Sequence, residues 1–358
     1  MISRILIINI SIDIVKSTLL KIVYLLLLIV PLSFCVAQKT PWEVDTTRIV
    51  SYADKFVVKL NLDDQTDSYK LRNRQDGSLL QITPNNSYSV FLSLDYQFFG
   101  LSIGFSPSFL TPESDDQLKG ESSFSDFRFR AALGPWIQGF QISSIEGYYI
   151  ENTEDFIPDW NEGVDPYIQL SDLKNQVWGM STSYVFNPNF SFRNLLYNTE
   201  WQKKSAGSFI PTLYYSYDRI SYTLEDIKSK ENIIPIRLAL AYFYTWVIKE
   251  HWFISGNISP SLGVRFSKIR ETLNDINSER SQTAFTSTLE GGANMGYASK
   301  KIVFGLGFTF DVNGYNEDKF NAVETNSIYG AIYFGYRFNT PGFIDRTYNK
   351  FAKKIGLE

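Results

Sequence analysis

The chain has 358 residues, 44% hydrophobic, 16% aromatic and 20% charged, which is too apolar for a disordered protein and long enough for one large domain or two small ones. Its 34 basic and 38 acidic residues give a net charge of −4, so no surface for nucleic acid is implied. One cysteine and one histidine exclude a disulfide framework and a histidine-cluster metal site.

The first element is a targeting segment. Lys16 and Lys21 precede an apolar run from Ile22 to Leu32, interrupted by Pro31, and Cys35-Val36-Ala37 precedes Gln38. A basic region, a short apolar stretch and a small-residue site predict a secretory signal peptide over residues 1–37, cut after Ala37. The alternative, an anchoring helix, has only about 11 apolar residues to cross with, against the ~20 that a bilayer needs. Residues 1–15 make the segment ahead of Lys16 unusually long for a signal peptide, which points to a downstream start of translation. Cys35 follows Phe34 rather than a small residue, so it reads as part of the discarded signal. Without Arg4, Asp13, Lys16 and Lys21, 31 basic and 37 acidic residues remain, from 34 and 38.

Residues 38–53 read as a periplasmic N-terminal segment, and alternation of period two then runs from end to end. Its clearest instances are Tyr88, Val90, Leu92, Leu94, Tyr96 and Phe98 against Ser89, Ser93, Asp95 and Gln97, and Ile302, Phe304, Leu306, Phe308, Phe310 and Val312 against Gly305, Gly307, Thr309 and Asp311. Twelve strands are predicted, at 54–63, 87–98, 100–108, 124–134, 136–150, 175–186, 207–218, 234–248, 250–266, 283–297, 301–315 and 326–338. Most are longer than the strands of a soluble sandwich, as tilted membrane-spanning strands must be. The predicted fold is therefore all-β, a transmembrane antiparallel β-barrel of about 12 strands over 54–338. A slightly negative mean hydropathy is no objection, because lumen-facing polar residues cancel lipid-facing apolar ones.

Tight turns are expected at Phe99-Gly100, Gly134-Pro135, Lys249-Glu250 and Ala298-Ser299-Lys300. Polar loops are expected near 109–123, 151–174, 219–233, 267–282 and 316–325. Short periplasmic turns and long outer loops are the pattern of outer-membrane barrels. Counting strands from both ends agrees only if residues 187–206 make no net crossing. That stretch is predicted to be a short periplasmic-side plug, helical or irregular, with Asn189 or Ser191 as cap, Leu195, Leu196 and Trp201 near helical spacing, and Gly207 as terminator. Lys203 and Lys204 are expected to dock on inward carboxylates, with Asp95, Glu290 and Asp311 as candidates, so that with Ser205 they act as a gate or, equally, belong to a cap that closes the barrel floor. After Pro341, residues 339–358 form an amphipathic periplasmic tail or, equally, a frayed one.

The strand parity places Lys59, Asp95, Arg128, Arg130, Arg237, Arg265, Glu290, Asp311 and Arg337 inside the barrel, with Tyr329 and Tyr333. Charges there must pair across the lumen or line a water path, and a filled interior is the expectation for so narrow a barrel. His251, beside Trp252 in a tight turn, reads as an interfacial residue rather than a catalytic one. Glu113, Asp115 and Asp116 lack the spacing of a calcium loop. No phosphate-cradling motif is present, so neither metal nor cofactor is expected.

The stretch Asn198 to Phe209, N-T-E-W-Q-K-K-S-A-G-S-F, contains Glu200, Trp201, Gln202, Lys203, Lys204, Ser205, Ala206, Gly207 and Ser208. It resembles the signature of the Gram-negative outer-membrane family known as domain of unknown function 4421. The approach N-P-x-F-S-x-R at Asn187 to Arg193 and the terminal Y-R-F at Tyr336 to Phe338 are similar too, over roughly residues 45–340. The resemblance implies fold and outer-membrane location, and brings no activity, substrate or catalytic residue. Expected partners are outer-membrane lipid and, during biogenesis, the barrel-assembly and periplasmic chaperone machinery. Three functions compete: passage of a small solute or envelope maintenance, a filled structural or interaction barrel whose outer loops bind a partner, and, third, a barrel enzyme. No enzymatic activity is the expectation.

Overall fold

The computed structural model describes residues 44–354 apart from 74, 87, 111–112, 225–226, 275 and 317–320. The expected signal peptide lies outside the described residues. Fifteen strands are described: β1 (Ile49–Ser51), β2 (Lys55–Asn73), β3 (Leu79–Thr83), β4 (Tyr88–Tyr96), β5 (Phe99–Phe105), β6 (Ser123–Leu133), β7 (Trp136–Ile150), β8 (Ile168–Tyr184), β9 (Glu200–Gln202), β10 (Ala206–Leu224), β11 (Ile227–Ile248), β12 (Trp252–Leu273), β13 (Ile276–Ala298), β14 (Ile302–Asn316) and β15 (Asn321–Asn339). Three α-helices accompany them, α1 (Glu113–Lys119), α2 (Phe192–Leu196) and α3 (Gly342–Lys354).

Twelve of these strands, β2, β4 to β8 and β10 to β15, form an antiparallel wall that closes on itself through β15 and β2, from Asn339↔Lys55 to Asn321↔Asn73. Closure leaves no edge with unpaired backbone groups, as a strand structure in hydrocarbon requires. β3 bridges β2 and β7 beyond the end of β4, and β1 pairs only with β9, outside the wall.

Parity follows the sequence. Leu60, Leu62, Leu92, Ile103, Leu238, Leu240, Ile258, Leu262, Leu306, Phe308, Ile332 and Phe334 are exposed on the outer face. Facing inward are Lys59, Asp95, Ser255, Ser259, Tyr333 and Arg337, all buried. So continuous an apolar outer band fits hydrocarbon rather than water. Near the tight turns it is flanked by Trp246, Trp252, Tyr297, Phe304 and Phe338, the aromatic girdle of such barrels.

Several expected boundaries are corrected. The first hairpin turns at Gln97, in the left-handed region at φ 53°, and not at Phe99-Gly100, which belong to β5. The stretches 219–233 and 267–282 are mostly continuations of the β10–β11 and β12–β13 ladders, because cross-strand pairing persists to Leu224↔Ile227 and Leu273↔Ile276. Membrane thickness sets a minimum strand length and not a maximum, so alternation weakening at the water boundary hid these extensions. The acidic stretch at Glu113 is helix α1, not a plain loop.

Candidate functional site

Residues 187–205 leave the wall after β8 and rejoin it at β10, crossing nothing. They fold into the barrel mouth at the tight-turn end. Ser191 caps α2: its Oγ accepts from Asn194 N at 2.9 Å and donates to Glu200 Oε2 at 2.6 Å. The helix is only five residues long. Asn198 adopts φ 55° and its Nδ2 donates to the Asn194 carbonyl at 2.6 Å, which ends the helix, and the chain then extends as β9 against β1. Trp201 is therefore on a strand and Gly207 lies within β10, contrary to the longer helix that the spacing suggested.

The segment is sealed into place by two apolar clusters. Phe190 and Tyr197 pack with Ala132, Ile137, Val185, Ala206 and Ile210 of the wall. Trp201 packs with Tyr52, Phe253, Ala298, Val303 and Tyr333. Its indole stacks between Tyr52 (centroids 6.5 Å) and His251 (4.8 Å), and its Nε1 donates to the Glu250 carbonyl at 2.8 Å.

Polar contacts then fix the register of the plug. The last carbonyls of a helix have no intrahelical donor; two wall cations meet that of Leu196, and a third meets the carbonyl of Asn198 just beyond the helix. Lys59 Nζ donates to the Leu196 carbonyl (3.4 Å) and Asn198 Oδ1 (3.1 Å). Arg130 Nη1 donates to the Leu196 carbonyl (3.2 Å) and stacks over the Tyr197 ring (5.8 Å). Arg337 donates to the Asn198 carbonyl through Nε (2.9 Å) and Nη2 (2.8 Å), and through Nη1 to the Ser299 carbonyl. Arg193 of the plug reciprocates, donating to the Ala132 carbonyl at 2.8 Å beside Glu200. Burial raises the Tyr197 phenol above its ordinary range, against the opposing pull of Arg130 and Arg193, so the ring stays neutral.

The remaining inward charges pair higher in the barrel. Arg128 holds Asp126 at 2.8 Å, and Gln141 Nε2 donates to the same carboxylate at 2.6 Å. Arg237 pairs with Glu290 at 2.6 Å and lies over Tyr214. Arg265 pairs with Glu231 at 2.7 Å and lies over Tyr315. Asp311 stands opposite Glu290 in the β13–β14 register, and Asp95 faces Lys59 and Arg130.

The expected docking of Lys203 and Lys204 on inward carboxylates is overturned. Lys203 lies over the Trp201 ring at 5.5 Å, while Lys204 and Ser205 are exposed, Lys204 near Asp45. Glu290 already faces Arg237, and Asp95 already faces Lys59 and Arg130. The charge relation is the reverse of the expected one, with wall cations docking on plug carbonyls. Tyr52 and Tyr197 went unremarked in the sequence, and Arg193 and Asn198 stood there only as ends of the family-like stretches; Asp126 shares the inward parity of Arg128 and was readable from it, whereas Glu231 lay in a stretch expected to be loop.

His251 has one face on Trp201 and the other on Tyr297 (5.4 Å), with Nδ1 2.9 Å from the Ala298 carbonyl. Among the described residues no group of three or more His, Cys, Asp or Glu side chains could hold a metal ion.

Together these features define a closed twelve-stranded barrel with an apolar outer band and a plugged floor. The chain belongs to the family described as Domain of unknown function (DUF4421), whose model matches residues 43–338. Among solved structures it is similar to the outer membrane protease OmpT from Escherichia coli, with a TM-score of 0.39 and 8% identity over 82% of this chain and 100% of that one. It is also similar to the beta domain of the Bordetella autotransporter BrkA (TM-score 0.35, 8% identity, 79% and 100% covered) and to the P. putida toluene transporter TodX (0.29, 10%, 80% and 91%). No curated protein matches the chain significantly.

Proposed function

We propose that this protein is an outer-membrane barrel of the structural or interaction type, exported through a cleaved signal peptide, with its tight turns in the periplasm and its long hairpins outside. The observation that carries the reading is the packed floor: two apolar clusters and three wall cations hold residues 187–202 in the barrel mouth. A third cluster, Phe91, Phe124, Ile145 and Tyr148 with Tyr69 and Leu170, narrows the lumen toward the loop end. The lone imidazole, half-buried, stacks on two rings and has Nδ1 at a carbonyl, which supports an interfacial role for it. Lipid surrounds the barrel, and the assembly and chaperone machinery of the envelope inserts it.

The test is conductance of the refolded protein in planar bilayers. A sealed floor gives silence, and discrete openings in the unmodified protein overturn the reading. A gated passage for a small solute is the second reading. It draws support from Thr309, which faces inward at mid-strand and is nevertheless exposed, with Gly292 and Gly307 beside it in the register.

A further inference from the structure

Beyond the plug, the least explained element is α3, which follows the last wall strand. Thr340 Oγ1 donates to the Asp54 carbonyl at 2.6 Å, so the tail leaves the barrel beside the start of β2. The helix then turns back onto the outside of the wall. Tyr96 Oη donates to Asp345 Oδ1 at 2.9 Å, and Tyr348 packs edge-on against Tyr96 (5.4 Å) and Phe98 (5.6 Å). Tyr96 has the outward parity of Leu92, which is exposed, yet it is only 8% exposed itself, because α3 covers it. A helix seated on an outward girdle tyrosine at the rim stands where the headgroups of the surrounding bilayer stand.

The face of α3 turned from the wall has a composition suited to that place. With Tyr348 against the barrel, Arg346, Lys350 and Lys353 fall on the opposite side, within about 60° of one another around the axis. All three are exposed. Phe343, 66% exposed, shares that side. The helix's one acid, Asp345, is held by Tyr96 on the docked face. A chain of net charge −4 thus carries, after its last strand, a helix with a cationic, aromatic-tipped surface. Such a face is attracted to anionic lipid headgroups while an apolar side chain enters the acyl boundary.

We propose that α3 is an interfacial anchor that binds anionic phospholipid in the leaflet at the tight-turn end, with Arg346, Lys350 and Lys353 holding the phosphates and Phe343 inserted beside them. The proposal rests on the membrane reading of the barrel, and its occupant is the lipid headgroup rather than a protein partner.

The full chain, reconstituted in nanodiscs of equal phosphatidylcholine and phosphatidylglycerol, is extracted in mild detergent, and the lipid it retains is measured by mass spectrometry. The unmodified protein retains phosphatidylglycerol in excess. The triple variant R346Q/K350Q/K353Q lowers that excess at least about fivefold, since one cation near an anionic surface contributes about that factor. Tyr96→Phe, which undocks Asp345 without changing a cation, lowers it less. Equal retention of the two lipids by the unmodified protein, or an excess that survives in the triple variant, overturns the anchor. Failure of the unmodified protein to enter nanodiscs would instead overturn the membrane reading, so the two failures are distinct.

Discussion

Arg337, on the last strand, donates twice to the backbone carbonyl of Asn198, 139 residues earlier in the chain. The pair ties the closing seam of the barrel to the plug, and the Arg337 guanidinium also lies 4.8 Å from the Tyr52 ring centroid. A hydrogen bond to a charged group contributes about 1.5–3 kcal/mol, and removal leaves a buried carbonyl unmet. Arg337→Ala is expected to destabilise the folded barrel by about 2–3 kcal/mol, read from denaturant unfolding in vesicles. Arg337→Lys restores less than half, because an ammonium cannot reproduce the fork. Full restoration by lysine would mean that charge alone holds the plug.

Gly100 supplies a steric probe of the same contact. A Cβ there would sit 2.6 Å from the Tyr197 ring and closer still to Asp95. Gly100→Ala should therefore lift Tyr197, at a cost of about 1–3 kcal/mol for overpacking. Limited proteolysis at 187–205 should accelerate. Gly307→Ala, where the nearest atom is 3.7 Å away, serves as the neutral comparison. Equal protease resistance in both variants would remove Tyr197 from the seal.

The lipid face is tested on β14. Leu306 is outward and 49% exposed, while Thr309 has inward parity. Leu306→Arg should destabilise the barrel by about 2–4 kcal/mol if it meets hydrocarbon near the midplane, and Thr309→Arg by clearly less. Equal losses would reverse the assignment of the two faces.

Orientation is separable from fold. Single cysteines at Asp115, Asn161 and Lys228 are expected to react with an impermeant maleimide on whole cells, and one at Ser299 only after lysis. The inverse pattern would put the tight turns outside.

The twelve wall strands were legible because a spanning strand must be long and must alternate, so length and parity are written locally. The non-crossing of 187–206 was legible by counting. The interior of the plug was not. Trp201 sits at helical spacing from Leu195 only by coincidence, and what makes it a strand is Val50, its partner some 150 residues upstream. No local pattern reports a pairing of that kind. Gly100 failed for a related reason: next to Phe99 it reads as a turn, and its true constraint is the approach of Tyr197, which is visible only in three dimensions.

The signature segment can now be divided by its contacts. Trp201 is 6% exposed, stacked on Tyr52 and His251, and bonded to the Glu250 carbonyl, so its loss opens a large cavity under the floor and leaves that carbonyl unmet. Trp201→Ala is expected to cost about 3–5 kcal/mol. It should reduce the heat-modifiable folded band on gels and, if the floor loosens, admit current in bilayers. Lys203 lies over the indole and Lys204 is exposed near Asp45, and their replacement by alanine should change stability by no more than about 0.5 kcal/mol. The two variants, refolded and compared side by side, decide where the segment acts. A silent Trp201→Ala beside a conducting or unstable double-lysine variant would move the function of the segment from its buried face to its exposed one.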